Sequence, residues 1–279
     1  MDFVAAPSWT PDAWDFTLNL SIVDLFVAGA AAFAAGAVNA VAGGGTLISF
    51  PVLVALGVPA LPANITNTVA LTPGYFSGTM AQRVDLVPQI ARTKRLAVAG
   101  LIGGLIGSGL LELTPNAAFR AVVPWLILLS CALLLAQERI RRMVKRRTKA
   151  RPAASLMTRD HRDGSAGAFI AVLFAAIYGG FFGAGLGIML LGLLGLFSDD
   201  SLVHLNALKQ ALSLVINVSA AVVFSVTGNV RWELVPIMAV AALAGGHTGG
   251  RLARVVNPTA LRWSVVAFGV VVAVRFLTS

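Results

Sequence analysis

Two glycine clusters could bind a ligand, because each interrupts an apolar run. The first is Gly43-Gly44-Gly45, followed by Thr46, and the second comprises Gly183, Gly185 and Gly187. Closely spaced glycines unwind a helix, and the helix that restarts after them presents bare N–H groups and the positive end of its dipole. Unwound backbone at membrane depth is tolerated only where it is buried or lines a cavity. The clusters predict two broken helices that meet near the midplane and hold an anion, as in secondary transporters.

Amide, hydroxyl and ammonium side chains near the clusters could complete this site. One amide precedes the first cluster, and the others follow in the next apolar segment of each half. They are Asn39, Asn64, Thr66 and Asn67 in the first half and Asn206, Lys209, Gln210 and Asn217 in the second. Lys209 lies within a predicted span, clear of its ends, where an ammonium needs an anion, carbonyl oxygens or water. The alternative is a lysine that snorkels to the interface.

His247, inside Gly245–Gly250, is the candidate for proton coupling because imidazole titrates near neutral pH. The competing interpretation is a histidine satisfied by packing. All the acidic residues near spans fall at predicted segment ends, so no buried carboxylate relay is predicted. The three histidines lack ligand partners at metal spacing, and no catalytic motif is present. We therefore expect no metal, no cofactor and no catalytic residues.

The composition determines which elements must position these residues. Of 279 residues, 57% are hydrophobic and only 12% are charged, with 28 glycines. One or two soluble domains of this size cannot bury so much apolar surface, so we expect a lipid bilayer around the chain. Soluble enzymes, disordered chains and disulfide scaffolds are excluded, and the single Cys131 can form no intrachain disulfide.

The net charge of +9 is concentrated in a basic linker, residues 137–164, which carries ten Lys or Arg. Between membrane spans, such a run indicates a cytoplasmic loop that obeys the positive-inside rule, and no nucleic-acid partner is expected. The segment 1–20 carries acidic residues and no Lys or Arg, which is typical of an external N-terminus rather than a signal peptide. We expect a multi-pass protein of the cell inner (plasma) membrane.

The expected fold is an all-α membrane protein with two membrane repeats, at residues 21–136 and 165–279. Each repeat has four full spans and one short half-helix after a glycine break, at 46–58 or 186–197. The full spans are predicted at 21–42, 62–82, 96–113, 117–136, 165–183, 204–228, 233–253 and 259–277.

Sequence similarities between the halves predict an internal duplication. Asp85-Leu-Val-Pro88 matches Glu233-Leu-Val-Pro236, and Gly103-Gly104 matches Gly245-Gly246 at a similar offset. If the short pieces cross, each half makes five passes and the second repeat lies inverted. The distribution of arginines favours this topology weakly over short pieces that dip and return.

The chain resembles the TauE/SafE sulfite exporters, also called the toluene sulfonate uptake permease family. The resemblance rests on Gly36–Thr46, Pro51, Ala63–Asn67, the second glycine break, Asn206-Ala-Leu-Lys209 and Asn217. It implies a permease for small sulfur-containing anions such as sulfite, thiosulfate or organosulfonates. The alternatives are a permease for another small anion and a membrane-embedded enzyme. The sequence does not determine the direction of transport, the transported anion or the oligomeric state. A homo-oligomer is one of the alternatives.

Overall fold

A computed structural model describes residues 20–41, 43–149, 166–198, 200–227, 230–252 and 258–278. The described residues form helices and contain no strand, which confirms the predicted all-α fold. The helices are α1 (Ile22–Val41), α2 (Thr46–Ala55), α3 (Ala60–Ala81), α4 (Arg83–Leu86), α5 (Ile90–Glu112), α6 (Asn116–Lys149), α7 (Ala166–Phe181), α8 (Leu186–Phe197), α9 (Leu202–Thr227), α10 (Val235–Leu252) and α11 (Pro258–Thr278).

Several helices have the length and composition of membrane spans. Four stretches qualify within the described residues: Ile22–Ala40, Arg83–Glu112, Asn116–Val144 and Leu202–Val226. Five shorter apolar helices accompany them. Large apolar side chains such as Phe26, Trp125 and Phe174 are exposed on the bundle surface, as expected for residues that face lipid. The protein is therefore a multi-pass membrane protein, as predicted.

Small residues bring the main helix pairs into close contact. A Cβ on Gly36 of α1 would meet the carbonyl of Ala242 in α10, and one on Gly103 of α5 would meet that of Leu173 in α7. A Cβ on Gly104 would collide with Ser219 of α9. Without Cβ atoms the backbones approach closely, which is how membrane helices gain packing energy in the absence of a hydrophobic driving force. The α5 glycines therefore serve the close packing of α5 against α7 and α9.

The helix contacts have an internal symmetry. If α1, α2, α3, α5 and α6 correspond to α7, α8, α9, α10 and α11, the pair α1–α10 corresponds to α7–α5, and α3–α10 corresponds to α9–α5. Counterparts α3 and α9 run antiparallel, because Gln82 contacts Asn206 while Thr66 contacts Arg231 at the other end. These contacts support the predicted inverted repeat, which stays a prediction.

The first half ends with a helix that is longer than expected. The predicted span stops at residue 136, but α6 continues to Lys149. The first part of the basic linker is therefore helical, and several of its arginines extend α6 beyond the apolar segment. The rest of the linker, together with most of the N-terminal segment 1–20, lies outside the described residues.

Candidate functional site

The two glycine breaks lie against each other. A Cβ built on Gly43 would be 2.7 Å from the Cα of Gly187, and a Cβ on Gly187 would be 2.7 Å from the Cα of Gly43. Gly43 also has φ +89, a conformation that L side chains rarely adopt. Since no side chain fits between the two backbones, glycine is required at both positions. The predicted meeting of the breaks is therefore present in the fold.

The two short helices diverge from this contact toward opposite ends of the bundle. Gly44 packs on Leu134 of α6, and the last residues of α2 share a cavity wall with Asn116 at the start of α6. Gly185 packs on Ser130, and Gly195 near the end of α8 packs on Val144. Both short helices thus begin at the level of Ser130–Leu134 and run apart. Their N-termini, with the positive ends of both dipoles, converge at the centre of the protein.

The first break is held by a side chain from the preceding helix. The N–H of Gly45 donates to Oδ1 of Asn39 across 2.7 Å in a buried hydrogen bond. Gly45 also packs against the carbonyl of Ala35, where a Cβ would collide. One of the backbone donors freed by the break is therefore already satisfied by the protein, because Asn39 lies one turn before the break.

The second break is held through a carbonyl instead. Gly183 and Gly185 both have φ +76, so the chain turns sharply on either side of Ala184. The Ala184 carbonyl accepts hydrogen bonds from the Ser130 hydroxyl at 2.8 Å and from the Tyr178 hydroxyl at 2.6 Å. Two hydroxyl groups from α6 and α7 thus fix this turn and leave the N–H groups at the start of α8 without a side-chain cap.

Lys209 brings a positive charge to the contact between the breaks. Its residue is only 1% exposed, and its Cδ lies 3.4 Å from the position of a Cβ on Gly187. Among the described residues, a salt bridge joins Arg92 to Asp200, and Lys209 forms none. Arg141 of α6 is near enough for its charge to act on Lys209. A buried ammonium is costly unless it is compensated, so this placement favours an anionic ligand.

A polar seam connects the centre to both ends of the bundle along α3 and α9. We define it by five contacts between these helices and their neighbours. They are Gln82 with Asn206, Gly78 with Gln210, Tyr75 with Asn217, Tyr75 with Thr46 and Thr66 with the Arg231 N–H. The seam is buried along its middle and half-buried at Gln82, Asn206 and Arg231, so its central polar atoms are in contact with protein rather than lipid.

Several buried polar atoms of the seam and the breaks lack hydrogen-bond partners. They are Oγ of Ser49 and Ser213, Oδ1 of Asn64, Asn67 and Asn206, and both amide atoms of Gln210. An unsatisfied buried polar group costs about 1–3 kcal/mol, and native proteins contain few of them. Their concentration along α3 and α9 indicates a region that water or a polar ligand enters.

Comparison with known proteins agrees with this architecture. The family model for sulfite exporter TauE/SafE matches residues 28–276. The chain belongs to the TauE/SafE sulfite exporter family. It is 26% identical over 258 residues to a probable membrane transporter protein ORF9 of Sinorhizobium sp., with 91% of each chain covered. It is 24% identical to the probable membrane transporter protein YfcA of Escherichia coli K12, covering 88% of this chain and 87% of YfcA. No solved structure matches.

In this TauE/SafE protein most of the predicted site residues lie together. The three glycines of each cluster, Asn39, Thr46 and Lys209 surround the contact between the breaks. Asn64 reaches the second break, because its Nδ2 donates to the carbonyl of Phe181 at 3.0 Å. Asn67, Gln210 and Asn217 are buried within α3 and α9, whereas Asn206 is half-buried at the end of α9 that contacts Gln82.

Besides Asn206, two predicted residues lie apart from the centre. Thr66 is buried near the end of the seam, where its hydroxyl accepts the N–H of Arg231 at 2.9 Å. His247 is exposed on α10, while its neighbours Gly246 and Gly249 pack against α3 and α1. An exposed histidine on the outer face of a TauE/SafE bundle has no contact with the breaks, so its role in proton coupling stays a prediction.

Sequence reasoning missed Tyr75, Ser213 and Arg141. Tyr75 belongs to the same face of α3 as Asn64 and Gly78, and Ser213 lies three residues after Gln210, so a helical period along the polar residues could have found both. Arg141 gave no such signal, because it lies beyond the predicted end of its span.

A cavity of about 950 Å³ lies elsewhere, among the ends of α2 and α11 and the starts of α3 and α6. Its wall is mostly apolar but includes Arg120 and Arg275. It contains none of the predicted site residues. The cavity opens at the end of the bundle toward which α2 runs.

Proposed function

We propose that this transporter carries a small sulfur-containing anion, such as sulfite, thiosulfate or an organosulfonate, and binds it where the two glycine breaks meet. Membership of the TauE/SafE family and the names of its relatives indicate a membrane transporter rather than an enzyme. The observation that carries the proposed site is the position of Lys209, buried beside Gly187 where the N-termini of α2 and α8 converge.

The groups at this point suit an oxyanion of sulfur. Such an anion spreads its charge over several oxygens, and each oxygen accepts hydrogen bonds. The N–H of Gly187 in the first turn of α8 and the ammonium of Lys209 can donate to different oxygens. The buried polar residues in the described part of the chain include no Asp or Glu, which suits an anion and disfavours a cation.

The arrangement also explains how one site could serve both faces of a membrane. The polar seam runs from the breaks toward both ends of the bundle, and α2 and α8 each connect the centre with one end. We infer that the bound anion stays near the centre while the two repeats, lying inverted, rock against each other. From the basic end of α6 we infer that this part of the chain lies in the cytoplasm and that the protein lies in the plasma membrane.

Flux measurements in liposomes test this proposal. Purified protein is reconstituted, and uptake of labelled sulfite, thiosulfate and a small sulfonate is measured with and without a pH gradient. Phosphate and chloride serve as competitors that carry no sulfur. We expect saturable uptake of at least one sulfur anion that is not inhibited by equal concentrations of chloride. Saturable uptake of a sulfur-free anion alone would instead establish the alternative, a permease for another small anion.

A further inference from the structure

A second cationic side chain is buried at one end of the polar seam. Arg92, in the first turn of α5, is 9% exposed. It lies near the contact of Gln82 with Asn206, because the neighbouring Gln89 donates its Nε2 hydrogen to the carbonyl of His204 at 2.7 Å. This is also the end toward which α8 runs, beside the basic extension of α6. We call it the basic end of the seam.

Only one edge of the Arg92 guanidinium is used by the protein. Its Nη1 donates to Oδ2 of Asp200 at 2.7 Å and to Oγ of Ser198 at 3.0 Å. Its Nε and Nη2 are buried and have no hydrogen-bond partner. The N–H groups on Nε and Nη2 form the parallel fork that binds two oxygens of a carboxylate, phosphate or similar oxyanion at once. A buried fork without acceptors is costly, so it favours an anionic ligand.

The residues that hold Arg92 belong to the connection between α8 and α9. Ser198 directly follows α8, and Asp200 precedes α9. The Ser198 hydroxyl also donates to Asp200 at 2.9 Å, so the three side chains form one network. Because α8 begins at the central break, this network ties the basic end of the seam to the helix whose N-terminus faces the bound anion.

We propose that the Nε–Nη2 fork of Arg92 is a second anion subsite, which receives the transported oxyanion at the basic end of the seam before the anion reaches Lys209. Asp200 positions the fork by holding Nη1. Between the two cations, the unpartnered Oδ1 of Asn206 marks the route along α9, and the unpartnered amide of Gln210 follows directly after Lys209. This inference rests on the proposed function.

Transport measured separately from each face tests the subsite. Proteoliposomes with the protein in a known orientation are assayed with whichever sulfur anion the wild type carries. Arg92→Lys keeps the charge but removes the fork, so we expect the half-saturating concentration to rise about tenfold from the basic end only. The maximal rate and the half-saturating concentration from the other face should not change. Arg95→Lys, an exposed change on the same helix, is the matched control.

The outcomes separate the subsite from the central site. If Lys209→Ala abolishes transport while Arg92→Lys has no effect, or affects both faces equally, the subsite is wrong and the proposed function stands. If neither variant changes transport, the central site fails as well. Should Arg92→Lys not fold, the double variant Arg92→Gln with Asp200→Asn removes both charges without leaving one buried alone, and the same one-sided loss is expected.

Discussion

The two glycine breaks have the same architecture but are stabilised by opposite chemistry. At the first break, a side-chain oxygen of Asn39 accepts a backbone N–H, that of Gly45. At the second break, the hydroxyls of Ser130 and Tyr178 donate to a backbone carbonyl, that of Ala184. The side chains therefore occupy a donor at the first break and an acceptor at the second, while backbone carbonyls accept further N–H groups at both breaks. If an anion binds here, we expect the first break to donate less to it than the second.

The long helix that follows each short helix, α3 in the first half and α9 in the second, shows the same inequality. In α3, the position corresponding to Lys209 is Asn67, since Asn64-Ile-Thr-Asn67 aligns with Asn206-Ala-Leu-Lys209. Both residues are buried, but only one carries a charge. If the two halves are a duplication, as predicted, they supply two similar half-sites. We expect the second half to contribute most of the binding energy.

The largest effect is expected at the charged position. Lys209→Ala removes the ammonium beside Gly187 and should reduce transport by about 30-fold or more, since removing a buried charge from an ionic contact costs about 2 kcal/mol or more. Asn67→Ala, at the matching position of the first half, should reduce it by less than tenfold. Initial rates of anion uptake in liposomes measure both. Lys94→Ala, at an exposed position on α5, controls for the loss of one positive charge.

The next effect concerns the contact between the breaks. Gly187→Ala places a Cβ 2.7 Å from the Cα of Gly43, so the breaks must separate, at a cost of about 1–3 kcal/mol in stability. Transport should fall about tenfold or more because the converging N-termini move apart. Gly109→Ala in α5 is the control, since its Cβ would meet no atom within 4 Å. Equal uptake by the two variants would show that the close contact is unimportant for transport.

The smallest effect separates the two ways of holding a break. Asn39→Ala leaves the buried N–H of Gly45 without its acceptor and should lower the unfolding free energy by about 1–3 kcal/mol. Ser130→Ala should cost about 1 kcal/mol or less, because Tyr178 still donates to the Ala184 carbonyl. Thermal unfolding in detergent compares the two variants. A larger loss for Ser130→Ala would reverse the comparison.

Much of the architecture was predictable because lipid imposes simple rules. Long apolar stretches must be helices in a bilayer, so the four candidate spans and the shorter apolar helices follow from composition and length. Clustered glycines predicted breaks at 43–45 and 183–187, and the structure has a break at each place, with Gly187 already in the first turn of α8. The predicted end of the last span in the first half, residue 136, was wrong by about a dozen residues, since α6 continues to Lys149. Arginines that end a membrane span do not end a helix.

The amino-acid sequence alone determined that the chain is helical, that two helices break at glycine, and that one lysine lies inside a span. These are local properties, since they depend on hydropathy and on the missing Cβ of glycine. Only the tertiary structure decided that Gly43 touches Gly187, that Tyr75 interacts with Thr46 and Asn217, and that Arg92 is buried with one edge unpartnered. Such contacts join residues far apart in the chain, and they depend on how whole helices pack.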